Sequence, residues 1–207
     1  PKFYYPIGDY AAFNGSEYLV NNGALQDYVF DFDAANDYID CGNDSSLNIS
    51  GDLTISAWVF VDSPHQNFHA ILSKITSTDR NYEILVRSTG QISFYTTNTD
   101  YTTSSQVIPV NTWTNVIVSV QSGVTDGVKF YFNGSLDSTT GTQTVVSNSA
   151  NLNIGRRTTG SFYMDGKLSN IQIFNTALDA TGSNSVETLY NNGTPLSDMS
   201  GFTSLQG

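Results

Sequence analysis

The stretch VKFYFNGSLDST (128–139) decides how the chain reads. Its first half shows the period-two pattern of a strand, rich in aromatic and β-branched residues. Asn133 and Gly134 follow where a two-residue hairpin needs positive φ at both central positions. A second run, SLDST, leads away from the turn. One strand, one tight turn and one strand fit into these few residues.

The same grammar extends in both directions. Upstream lie TNVIVSVQ (114–121) and the pair YEILVRS (82–88) and QISFYTT (91–97), joined at Thr89-Gly90. Before them LTISAWVFV (53–61) places Leu53, Ile55, Ala57 and Val59 on one side. Downstream come ANLNIGR (150–156), SFYMDG (161–166) and KLSNIQIFN (167–175). Trp58, Val59, Ile84, Phe94, Ile117, Phe130, Ile154 and Ile173 are therefore expected in strands. Only SNSVETLYNNG (183–193) reads as helix, with Val186, Leu189 and Tyr190 on one face and Gly193 as its stop. Many short strands with almost no helix predict an all-β sandwich or jelly roll. One domain is expected from 28 to 196, with extensions at 1–27 and 197–207. FNGSEYL (13–19) echoes FDAANDYI (32–39), which reads either as a chance likeness of two hairpins or as a sign that 1–27 trails from a preceding repeat.

Composition narrows the function classes. The chain has 207 residues, a formal net charge of −11 and only eight Lys and Arg. Phosphate contacts need clustered cations, so nucleic-acid binding is excluded. The pair Arg156-Arg157 reads either as a solvated loop end or as two donors for an acidic sugar. Cys41 is the single cysteine, so no internal disulfide exists. No apolar run approaches a membrane span. Low charge with abundant Asn, Ser, Thr and Tyr suggests an extracellular, cell-surface or virion protein.

The order of segments resembles that of laminin-G-like and pentraxin-like domains of the concanavalin A-like lectin/glucanase fold. YVFDFDAANDYIDCG is similar to their opening hairpin, LTISAWVFV to the apolar strand carrying a Trp, and NTWTNVIVSV to the W-x-H-V-A-V strand, with Asn115 in the His position. VKFYFNGSLDST resembles the Y-V-N-G hairpin, and LNIGRR with MDGKLSNIQIFNTAL resembles the closing segment. The resemblance implies a jelly roll of two curved antiparallel sheets. Tandem runs of this kind also resemble those in structural proteins of marine phages.

The opening hairpin FDFDAANDYIDCGNDSS (30–46) carries five Asp. An EF-hand is excluded, because Asn36 stands where its Gly belongs and Gly42 where its Glu belongs. The family resemblance implies a structural Ca²⁺ between the opening hairpin and the closing strand, with Asp33, Asp37, Asp165 and Asn170 as ligands. The family's closing Asp pair falls here on Ser169 and Asn170, which lowers the charge of such a site. Turn chemistry is the competing account for Asp33 and Asp37. Asp31 and Asp40 alternate with apolar residues and are expected to face water.

Catalysis is not expected. The chain has three Glu, at 17, 83 and 187, and none carries the Asp two residues on that the fold's glucanases use. A glycosidase needs a carboxylate pair at one site, so a glycoside hydrolase or polysaccharide lyase is the least favoured reading. A carbohydrate-binding or adhesion module is the leading one, with Arg87, Tyr95, Asn98, Tyr101 and Arg156 as candidate ligand contacts. Trp58 and Trp113 read as packing residues. The alternative is a structural spacer or a protein-binding module, partnered by neighbouring repeats or by virion and surface proteins.

Overall fold

Alternation along the strands dictates two layers. The computed structural model describes residues 19–21, 28–63, 67–97, 100–196, 199, 202 and 205–206. Most of the two extensions, and with them most of the first copy of the echo, lies outside these residues. In chain order the strands are β1 (Leu19–Asn21), β2 (Tyr28–Asp33), β3 (Ile39–Asp40), β4 (Leu53–Val61), β5 (His69–Ile75), β6 (Arg80–Val86), β7 (Gln91–Tyr95) and β8 (Tyr101–Val107). They continue as β9 (Thr114–Val120), β10 (Val128–Phe132), β11 (Ser135–Thr140), β12 (Asn153–Ile154), β13 (Asp165–Phe174) and β14 (Leu205–Gln206). One sheet runs β1-β2-β13-β4-β9-β10-β11, with β14 on β13, and the other runs β3-β12-β5-β6-β7-β8. Every ladder is antiparallel. The expected all-β sandwich is what the chain forms. The eight residues expected in strands all lie in strands, and Asn133 and Gly134 turn with φ of 50° and 76°.

The core lies between the sheets. Ile55, Val59, Phe130 and Ile173 from one face meet Ile84, Phe94 and Ile154 from the other, each 9% exposed or less. Ile117 and Trp58 point the opposite way, to the outer side of the larger sheet. There Ile117, Tyr131 and Phe174 are covered by Leu178, Val186, Leu189 and Phe202. The covering helix α1 (Val186–Tyr190) is shorter than the sequence suggests. The Ser185 hydroxyl caps its start by accepting from the Thr188 N–H, and Asn191 stops it in the left-handed region, two residues before Gly193. On the outer side of the smaller sheet, Ala70, Leu85 and Tyr95 form a small second cluster packed under Phe68 and Phe162.

Two other readings change. SFYMDG is not a strand of its own; β13 starts at Asp165 and passes through Gly166 without a turn. Gly166 lies between β2 and β4, opposite Phe32 and Val61. A Cβ there would sit 2.0 Å from the Phe60 carbonyl oxygen. β8 was not read as a strand, because YTTSSQV lacks apolar alternation; it forms a sheet edge, where one neighbour suffices.

Lys74 closes one end of the core. Its side chain is fully buried. The ammonium donates to Asn43 Oδ1 at 2.7 Å and to the carbonyl oxygens of Asn148 and Ala150. These oxygens are neutral, so no counter-charge offsets the burial, which pulls its pKa down to about 8.

Two predictions follow from this packing. Gly166→Ala forces side-chain atoms onto a neighbouring backbone and should cost about 3 kcal/mol or more in urea unfolding. Gly42→Ala has a positive φ but open space around it, and should cost only about 1–2 kcal/mol; equal losses would contradict the close approach. Between about pH 8 and the ordinary lysine value of 10.5, the unfolded chain holds a proton that folded Lys74 has released. Stability from this group therefore rises with pH across that window. Wild type should gain on Lys74→Met between pH 7.5 and 9.5, and parallel curves would refute it.

Candidate functional site

The smaller sheet carries the site on its outer side, where Phe68 and Phe162 cover Ala70 and Leu85 but Tyr101 and Tyr38 stay exposed. Ile84 and Phe94 point into the core, so Glu83 and Tyr95 point out. Register then draws one row across all six strands. Asp40 pairs with Asn153, Asn153 with Ser73, Ser73 with Glu83, Glu83 with Tyr95, and Tyr95 with Tyr101. Five strand spacings of about 4.8 Å make the row about 24 Å long.

Glu83 is the centre of this row. Its side chain is fully buried. Oε1 accepts from the Ser73 hydroxyl at 3.0 Å and from Arg157 Nε at 2.8 Å. Oε2 accepts from Arg157 Nη2 at 3.1 Å and from Arg80 Nη1. One carboxylate thus holds two guanidinium groups, and Arg157 docks in the two-pronged geometry that suits a planar fork. Burial and the charge of Arg157 pull the Arg80 pKa down to about 10; burial lowers that of Arg157 as well.

Every arginine in the chain lies over an aromatic ring on this side of the molecule. Arg80 sits 4.9 Å from the centre of Tyr95, and Arg157 4.1 Å from Phe162. Arg87 lies 4.6 Å from Tyr101 and 5.3 Å from Phe68. Arg156 lies 3.3 Å from Tyr38, one residue before β3. Cation–π contacts of this kind hold a guanidinium in place without neutralising it. Tyr95 and Tyr101 meet tilted at 5.0 Å, and Phe68 stacks on Phe162 at the same distance. Tyr95 is nearly buried under this layer, whereas Tyr101 is 44% and Tyr38 42% exposed. Beyond Arg80, a polar cleft of about 480 Å³ opens between Asp79, Thr96, Asn148 and neighbouring hydroxyls.

The structure thus joins Arg87, Tyr95 and Tyr101, as the sequence suggested. Arg156 stands at the other end of the row with Tyr38, donating from Nε to Asn153 Oδ1 at 2.9 Å. Asn98 lies outside the described residues. Sequence reading passed over Glu83 and Arg80, and weighed Arg157 only as one of a pair with Arg156. Glu83 was weighed only as half of a catalytic motif. Its signal was a charged residue on the outward parity of an apolar strand, with Arg87 four positions on. Nothing local distinguishes Arg157 from Arg156.

The four proposed metal ligands do not converge as a set. Asp33 and Asp165 are register partners. Asp33 Oδ1 accepts from the Ala35 N–H, Asp37 Oδ2 from the Asp33 N–H, and Asp165 Oδ2 from the Ser63 hydroxyl. Asn170 sits five positions along β13, about 16 Å of strand away, and donates to the Leu196 carbonyl at 3.1 Å. Among the described residues, no group of three or more His, Cys, Asp or Glu is placed to hold a metal ion. Asp40 is exposed as expected, and Asp31 lies 3.5 Å from the Lys167 ammonium.

Comparison with known proteins agrees with this architecture. A search of curated proteins finds no match. Among solved structures, the chain is similar to a heptameric SAP-like pentraxin from Limulus polyphemus, with 20% identity, TM-score 0.57, and coverage of 77% of this chain and 80% of that one. It is similar to the binding domain of botulinum neurotoxin serotype G at 15% identity and TM-score 0.62, covering 84% of this chain and 44% of that one. It is also similar to Trypanosoma rangeli sialidase at 13% identity and TM-score 0.59, covering 79% of this chain but 27% of the enzyme. At these identities the likeness shows the fold alone. Among the described residues no helix is long and apolar enough to cross a membrane. Residues 33–182 match the laminin-G model of the concanavalin A-like lectin/glucanases superfamily. The chain belongs to that superfamily, as a laminin-G-like domain.

Proposed function

We propose that this domain is a non-catalytic carbohydrate-binding or adhesion module, working outside the cell as part of a secreted, cell-surface or virion protein. The observation that carries this reading is the in-register outer row, with Tyr101 at one end and Tyr38 beside the other. Sugar rings stack on exposed aromatic faces and take hydrogen bonds from fixed polar groups, and this face offers both. The fold shared with a pentraxin and with a toxin binding domain supports a binding role.

Hydrolysis needs two carboxyl groups about 5–9.5 Å apart. The two carboxylates of the row, Asp40 and Glu83, are three strand spacings apart, about 14 Å. Glu83 is also enclosed by Ser73, Arg80 and Arg157 and cannot meet a substrate without breaking that set.

Affinity electrophoresis and calorimetry over a polysaccharide panel test the reading. At least one glycan should bind, without turnover. Tyr101→Ala should weaken that binding about tenfold, and Leu136→Ala, exposed on the other sheet, should leave it unchanged. Binding should persist in chelator, since the face is built from guanidinium groups and rings. No glycan bound, together with concentration-dependent self-association or capture of a neighbouring repeat, would favour the structural-spacer reading instead.

A further inference from the structure

We infer that the ligand of this face is an acidic linear polysaccharide, lying across the strands and gripped at two points by Arg87 and Arg156. This inference rests on the glycan-binding reading above.

The four arginines divide into two kinds. Arg80 and Arg157 share Glu83, so their charge is largely spent inside the protein. Arg87 and Arg156 have no carboxylate within ion-pair distance among the described residues. Arg87 donates to the Tyr95 hydroxyl at 3.2 Å, and Arg156 to the Asn153 side-chain oxygen. Each also lies over an exposed tyrosine ring. Neutral partners hold both groups in position while leaving most of their five donors for something else. Such pre-ordering removes part of the cost of binding an anion. A guanidinium fork matches the paired oxygens of a carboxylate or a sulfate.

The wider charge distribution points the same way. The chain carries −11 overall and only eight cationic residues, four of them arginines. All four arginines lie on one side of one sheet. A polyanion is repelled by most of this surface, and these two groups give it a place to dock. Arg156 bonds Asn153 on β12 and Arg87 bonds Tyr95 on β7, anchor points three strand spacings apart, about 14 Å. That span suits an extended chain of several sugars and is too long for a single one.

The test compares polygalacturonate, dextran sulfate and neutral dextran by calorimetry on the intact protein. At least one acidic polymer should bind and dextran should not; whichever acidic polymer binds tighter identifies carboxylate or sulfate as the natural group. Arg87→Gln and Arg156→Gln should each weaken binding about tenfold, with melting temperatures reported alongside to show that the fold persists. Arg87→Lys keeps the charge and loses the fork, and should recover part of the affinity. On an acidic oligomer too short to span both groups, one of the two Gln substitutions should lose its effect. Acidic-polymer binding unchanged in the double variant would overturn the inference, as would dextran binding as tightly as the acidic polymers. Neutral glycans bound independently of both arginines would defeat only the acidic ligand. No binding to any glycan would defeat the module reading beneath it.

Discussion

The buried carboxylate of Glu83 is the interaction on which the exposed face depends. It replaces water with a hydroxyl and two guanidinium groups, filling its acceptor positions from Ser73, Arg80 and Arg157. A carboxylate buried without partners costs several kcal/mol, and removing one member of a buried set is usually worse than never having built it. Here the arrangement does more than offset its own desolvation. It pins Arg80 against Tyr95 and Arg157 against Phe162. That fixes the rings over which Tyr101, Phe68 and Arg87 assemble. A polar strand position that would be a liability in a two-faced sheet becomes the anchor of an ordered surface.

The two outer faces of the sandwich show what the fold does with this freedom. The larger sheet buries Ile117, Tyr131 and Phe174 under helix α1 and the segment beyond it. It thereby becomes a second core and is lost to solvent. The smaller sheet has a thinner cover: Phe68 and Phe162 pack on Ala70, Leu85 and Tyr95, while Asp40 and Tyr101 at the ends of the row stay exposed. Register then acts as a ruler, because each ladder step moves one strand spacing. Residues distant in sequence, from Asp40 to Asn153, fall into one line for that reason alone. Lys74, buried in the neighbouring strand position to Ser73, ties the loops at 43 and 148–150 to the same sheet.

Much of this was legible in the sequence, and the exceptions have physical causes. Period-two patterning placed Ile84, Phe94, Phe130 and Ile173 correctly because one face of each strand is apolar. The Asn133-Gly134 turn was legible because positive φ at two consecutive residues leaves few choices. β8 was hidden because an edge strand of Thr, Ser and Gln has no apolar face to show. The helix was overread because Asn191 takes the left-handed region as readily as the glycine after it. Strand parity pointed Tyr95 outward, and Tyr101 and Arg87 lie beside it. The link between Glu83 and Arg157 was not legible, because it spans 74 residues. The acidic hairpin drew attention by charge density, yet its bonds to Ala35, Asp33 and Ser63 are local or cross-strand turn chemistry. Asn170 lies five positions further along β13 than Asp165, at a bulge where its φ is 44°.

The most direct measurement is a backbone and side-chain NMR titration of the isotope-labelled protein with the tightest-binding glycan. Shift changes should concentrate on the outer row, at the Tyr101 and Tyr38 rings and the Arg87 and Arg156 guanidinium groups. β10, β11 and the layer over the larger sheet should stay silent. Changes centred instead on the opening hairpin around Asp33, Asp37 and Asp165, with the six-stranded face unmoved, would contradict the account.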